Sequence, residues 1–230
     1  MSTDCGRPSL VRVIGTAVAA VTLASPFVRR WYLRWGSTKE ERERGMPLDE
    51  SVPSPMLNST MAISVDAPPE DVWPWLPQMG DPPRAGYYSY TLIERWAGMH
   101  IENGDMVLPE FQELNVGDAL DKNGTMTVLA VEPGRHLVLG PPPFIDWIKC
   151  AWSFGVYPDG RGGTRLVTRV RSSWSWRQML AKTPPPTWPM YLLIEPGAFL
   201  MERKMLKEIK RRAEKLAASR APAAVSSGAG

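Results

Sequence analysis

Along the chain the spacing of apolar residues changes rhythm several times, and each rhythm predicts a different element. Residues 10–28, LVRVIGTAVAAVTLASPFV, form an apolar run with a single charge, Arg12. From 36 to 55 the pattern turns polar, and GSTKEERERG followed by MPLDESVPSP reads as a charged linker or a short exposed helix. Ser59 to Val65, STMAISV, predicts a first strand. Val72, Trp75, Leu76 and Met79 then share one helical face within 70–79, where Pro74 and Pro77 should kink or shorten the helix. YYSYTLIERWAG predicts a second short helix, with Ser89 as cap and Gly98 as stop.

The middle of the chain alternates with period two between turn signals at Asn123-Gly124, Pro133-Gly134 and Asp159-Gly160. Antiparallel strands are expected over 125–131, 136–139, 148–157 and 164–174. In the third, Ile148, Cys150, Trp152, Phe154 and Val156 share one face. In the fourth, Thr164, Leu166, Thr168 and Val170 oppose Arg165, Arg169 and Arg171, so one side should be apolar and the other wet. A long helix is expected from near Pro196, with Ala198, Met201, Met205, Ile209, Ala213 and Leu216 on one stripe and a basic opposite face. The tail, 217–230, has too little to bury and reads as disordered.

Composition narrows the possibilities without naming a reaction. At 230 residues, 43% hydrophobic and 22% charged, the chain fits one globular domain with extensions. A net charge of +3 makes no demand for a nucleic-acid partner. Two cysteines, Cys5 and Cys150, and two histidines, His100 and His136, supply neither a disulfide framework nor a metal cage, so no cofactor or metal is expected. GRGG at 160–163 reads as a hairpin turn, and no nucleophile elbow or phosphate-cradling motif appears.

The uncharged part of the N-terminal run, 13–28, would rise only about 24 Å as a helix. That is short of the roughly 30 Å of a bilayer core. A membrane anchor, a signal peptide and an apolar helix packed elsewhere all remain open. The anchor is favoured because Arg29, Arg30 and Arg34 follow the run with Trp31, Tyr32 and Trp35 among them, as in an interfacial belt. The charge bias then puts the domain on the cytoplasmic side of a cell membrane, single-pass, the alternative being a cytoplasmic protein. The organisation expected is an N-terminal anchor over 1–35, a linker over 36–57, a domain over 58–216 and the tail.

A strand, two short helices, an antiparallel run and a final long amphipathic helix make an α+β chain in which a curved sheet can wrap the helix. The segments ISVDAPPEDVWPWLPQMG, GYYSYTLIERWAG, IENGDMVLPEFQELNVGD, WSFGVYPDGRGGTRLVTRVRS and EPGAFLMERKMLKEIKRRAE carry a resemblance over 59–216. The sequence resembles the START-like helix-grip (SRPBCC) superfamily, in its polyketide cyclase/dehydratase-like bacterial branch with an N-terminal hydrophobic segment. The resemblance implies a helix-grip fold with a hydrophobic cavity between sheet and C-terminal helix, and no transferable catalytic set.

Candidate cavity residues are Trp75, Met79, Tyr88, Tyr90, Glu94, Met126, Trp152, Phe154, Thr168, Met201 and Met205, large aromatics and adaptable thioethers with a few polar groups. Candidate acids are Glu94 and Glu195 beside apolar helical segments, and Glu102, Asp105 and Glu110 with Asn103 in IENGDMVLPE. The favoured function is a membrane-tethered binding or carrier protein for a small hydrophobic or lipid-like ligand. The alternatives are a cyclase-, dehydratase- or hydrolase-type enzyme using the same cavity, and an interaction module acting through the basic helix, with Arg203, Lys204, Lys207, Lys210, Arg211, Arg212 and Lys215.

Overall fold

The computed structural model describes residues 25–90, 103–145, 148–174 and 191–220. Short α1 (Pro26–Tyr32) and α2 (Lys39–Glu43) precede β1 (Leu57–Val65). Next come α3 (Pro69–Val72), β2 (Thr127–Glu132), β3 (His136–Gly140), β4 (Ile148–Pro158), β5 (Thr164–Trp174) and the long α4 (Tyr191–Arg220). The five strands form one antiparallel sheet in the order β1-β5-β4-β3-β2. This is an α+β helix-grip arrangement, with α4 packed across the sheet's apolar face. The period-two pattern places the strands within about two residues of expectation, and Asp159 accepts backbone bonds from Arg161 and Gly163 to close the turn between β4 and β5.

The core lies between the inner face of the sheet, α3 and α4. Met61, Phe154, Val156 and Leu166 meet Val72, Trp75, Leu76 and Met79 on one side and Met205, Leu206, Ile209 and Ala213 on the other. The expected helical face over 70–79 is thus buried, although its backbone is not one helix. α3 stops at Val72 and gives way to a 3₁₀ turn, Trp73–Trp75, where Pro74 cannot donate a helical bond. The expected second helix is not helical over 87–90, and its remaining residues lie outside those described. α4 begins at Tyr191 rather than at Pro196, which stands inside the helix and forfeits one of its hydrogen bonds.

The outer face of the sheet is not wet. Arg169 is only 3% exposed, because the charged segment that precedes β1 folds across it. Its guanidinium donates to the carbonyls of Glu41, Arg42 and Arg44, to Thr60 Oγ1 and to Asp49 Oδ2, so all five N–H groups are used. Arg165 grips both carboxylate oxygens of Glu41 at 2.8 and 2.9 Å, and Arg171 reaches the Val52 carbonyl. Periodicity marked these arginines as facing away from the core, but it carried no sign that a polar segment would supply their acceptors. The segment's short α-helix, α2, is fixed by a capping box between Thr38 and Glu41.

Residues before β1 also line its free edge. Thr60 and Ala62 donate to the carbonyls of Leu33 and Trp35, and Gly36, at φ +69°, turns the chain away. A Cβ there would lie 2.1 Å from the Ala62 carbonyl oxygen. The interfacial belt expected here is divided by this packing. Tyr32 is buried and Arg29 is ion-paired to α4, while Phe27, Trp31, Arg30 and Arg34 stay exposed. No helix among the described residues is long and apolar enough to cross a membrane, and residues 10–24 lie outside them.

Candidate functional site

The inner surfaces of β4, β5 and α4 bring one carboxyl group into the grip that the sequence reading passed over. Glu202 is buried on α4, one residue from Met201 and three from Met205. Its Oε1 accepts hydrogen bonds from Thr168 Oγ1 at 2.8 Å and Trp152 Nε1 at 3.2 Å. Trp152 Nε1 also lies 3.1 Å from Thr168 Oγ1, and the Trp152 ring stands 5.0 Å from that of Phe154. Strand register explains the grouping, because Phe154 is paired with Thr168 and Trp152 with Val170 on adjacent strands.

Burial pushes the Glu202 carboxyl up to about 7, against the opposing pull of the Thr168 and Trp152 bonds. Desolvation penalises the charged form, and among the described residues no cation partners the group to offset it. Both donors converge on Oε1, so the neutral acid carries its proton on Oε2, where among the described residues no group donates to it. Such a group can donate one hydrogen bond through Oε2 when neutral and accept there when charged, and near neutral pH it can do either. Sequence periodicity put Glu202 next to the apolar stripe of α4, where a carboxylate reads as the start of the polar face. The clue available was Thr168, a polar residue on the apolar face of β5.

The expected cavity residues divide into groups. Trp152, Phe154, Thr168 and Met205 surround or adjoin Glu202, with Met201 half-buried beside it on the helix. Trp75 and Met79 are fully enclosed in the core, and Met126 is packed at its margin. Tyr88 is buried with its hydroxyl engaged by Gln78 Nε2 at 2.8 Å, and burial pushes its pKa well above the ordinary tyrosine value. Its backbone is left-handed, φ 55°, an uncommon setting for a bulky residue, and Asn103 Oδ1 holds its N–H at 2.6 Å. Gln78 also binds the backbone of Met106 and Leu108, so Tyr88 belongs to a network that pins the 103–112 segment. Tyr90 is exposed, with Lys204 5.9 Å from its ring centre. Glu94, His100 and Glu102 lie outside the described residues.

The other candidate acids are occupied elsewhere. Glu195 binds Arg29 through two bonds of 2.6 and 2.7 Å and the Tyr32 hydroxyl at 2.8 Å. Burial works against its charge, but these partners hold it below the usual carboxylate range, which suits a clasp and not an acid. Asp105 pairs with Arg211 and Arg212. Glu110 sits in a 3₁₀ turn and is exposed. His136 lies between Glu132 and the Tyr157 hydroxyl, whose ring meets Arg44 on the outer face, a satisfied polar group remote from Glu202. The basic face of α4 is largely neutralised: Glu208 meets Lys204, Arg211 and Arg212, and Lys210 meets Asp66 and Glu214. Burial opposes the charge of Glu208, yet these three cations take its carboxyl down to about 2.

No family model matches the chain, and no curated protein matches it. Solved structures similar to it include the Polyketide_cyc-like protein Cgl2372 of Corynebacterium glutamicum, at 13% identity over 72% of this chain and 96% of that one, with a TM-score of 0.44. The di-domain ARO/CYC protein StfQ of the steffimycin biosynthetic pathway is similar at 13% identity over 74% and 55% of the two chains, TM-score 0.37. Protein MLL2253 of Mesorhizobium loti is similar at 20% identity over 68% and 97%, TM-score 0.33.

Proposed function

We propose that the protein binds a small hydrophobic or lipid-like molecule in the helix grip, with one polar group of that molecule meeting Glu202. The observation that carries this reading is the buried Glu202 carboxyl, held by Thr168 and Trp152 within an otherwise apolar lining. A neutral carboxyl in apolar surroundings is a hydrogen-bond donor suited to a carbonyl or hydroxyl, and the rings and thioethers beside it suit the apolar remainder. The apolar run over 10–28 and the basic residues after it support a membrane-tethered carrier whose domain lies on the cytoplasmic side.

A second reading rests on the same residue. A carboxyl poised near neutrality has the acid strength a general acid or base needs, which supports a cyclase- or dehydratase-type reaction in the grip. Native mass spectrometry of the full chain purified from its own cell tests both. Co-purification of an apolar compound that Glu202→Gln still retains supports the carrier. Conversion of that compound by the wild type, lost in Glu202→Gln while binding persists, supports the enzyme. A chain that leaves the cell empty, and stays empty when offered cellular lipid extract, refutes both.

A further inference from the structure

Away from the grip, α1, α2 and the edge of β1 enclose a cleft of about 460 Å³ whose lining includes Arg30, Arg34, Lys39, Arg42, Glu43 and Asn58. A second cleft, about 520 Å³, adjoins it through Arg30, Arg34 and Asn58 and runs on to Pro26 and Met56. The charge here is unlike that on α4, where carboxylates answer most of the cations. Among the described residues Arg30, Arg34 and Arg42 make no ion pair, and the single acid on the rim, Glu43, stands 3.9 Å from Lys39. Burying cations without counter-charge costs stability, but lining an open cleft with them creates a local positive potential that an anion can answer.

The same short helix shows a second face. Phe27 and Trp31, one turn apart, are 85% and 58% exposed, while Arg29 and Tyr32 are turned inward to Glu195. Arg30 and Arg34 are thus set beside two projecting aromatic rings, and the sequence just before them, 13–24, has no charged residue. An amphipathic belt of this kind suits a headgroup layer, with rings in the acyl boundary and guanidinium groups at the phosphates. A soluble phosphate would use the cations but gain nothing from the rings.

We propose that this cleft is a binding site for the phosphate-bearing headgroups of an anionic bilayer, fixing how the domain sits on the membrane. The site extends the tethering part of the functional reading above and is independent of what the grip holds. Each arginine brought to an anionic surface should strengthen partition by about fivefold, so the three that line the cleft should together set the preference among lipids.

The test is competitive partition of the full-length chain, diluted from detergent, between phosphatidylcholine vesicles and vesicles that also contain phosphatidylserine, read by flotation. The wild type should favour the phosphatidylserine vesicles, and the preference should collapse in 1 M salt, where the Debye length is about 3 Å. Arg30→Gln/Arg34→Gln/Arg42→Gln should lose the preference. A control that removes the same charge from exposed positions outside the cleft, Arg161→Gln/Lys207→Gln/Lys215→Gln, should keep it. Should the cleft triple variant fail to fold by thermal melting, Arg30→Gln and Arg34→Gln singly should each lower the preference about fivefold. Equal partition by the wild type, a preference that survives in the cleft variants, or one that falls equally in the control variant overturns the proposal. So does displacement from the vesicles by inorganic phosphate at constant ionic strength, or retention of single-stranded RNA through the same three arginines without lipid preference. Poor retention on both vesicle types counts against the tether, whereas equal strong retention on both counts against the cleft.

Discussion

Replacing Glu202 by Gln isolates the energetic consequence of burying a titratable group in the grip. The amide keeps the shape and can still accept from Thr168 and Trp152, but it does not ionise. In the wild type the carboxyl titrates near 7 when folded and near 4.5 when free. Below about pH 4.5 both states hold the proton and the group contributes no penalty. As pH rises from there to about 7 the unfolded chain releases its proton while the folded one keeps it, so stability falls. At about 1.36 kcal/mol per unit, the full difference is about 3 kcal/mol, complete above pH 7. Urea unfolding of both proteins from pH 4 to pH 8 should show near-equal stability at the acid end and the variant ahead by about 3 kcal/mol at the alkaline end. Glu208, whose folded carboxyl is depressed to about 2, contributes the opposite slope below about pH 4.5, but equally in both proteins, and cancels in the difference. A difference that does not change with pH would refute the assignment of Glu202 as a desolvated carboxyl.

Three further outcomes follow from the packing. Arg169→Ala should cost about 3 to 5 kcal/mol in urea unfolding, since it takes from Asp49 its nearest cation and leaves three backbone carbonyls without their donor, whereas Arg161→Ala in the exposed β4–β5 turn should stay within about 0.5 kcal/mol. Met205→Ala should cost about 2 to 5 kcal/mol by the same measurement, and a smaller loss would mean that its side chain borders open space. Removing residues 1–34 should lower stability by about 2 kcal/mol or more, read by urea unfolding, because it strips buried Tyr32 and both partners of Glu195.

Much of the architecture was legible because strands and helices advertise themselves by period. The alternation of β5 was read closely, and so was the buried set Val72, Trp75, Leu76 and Met79; on α4, Met205, Ile209 and Ala213 are buried as expected, whereas Ala198 is exposed, Met201 and Leu216 are half-buried, and the buried Leu206 lay off the expected stripe. Contacts between polar groups far apart in sequence were not legible. Glu195 with Arg29, Glu41 with Arg165 and Glu202 with Thr168 are separated by 166, 124 and 34 positions, and nothing local in the sequence marks one carboxylate as paired outside and another as enclosed within. The resemblance supplied the grip but no acid, and the acid became visible only when strand register set Thr168 and Trp152 opposite its place on α4.

The bonds from Thr60 and Ala62 to Leu33 and Trp35 have a consequence for the life of the protein outside its own fold. A sheet whose first strand ended in open N–H and C=O groups would offer itself as a template to any extended chain, including another copy. Here the guard on that border is the very stretch that follows the apolar run. Proteolytic nicking near Gly36 would therefore do more than detach the domain from whatever the run holds: it would loosen the guard and invite strand-to-strand polymerisation. Intact chains are shielded from that fate for as long as their N-terminal stretch stays attached.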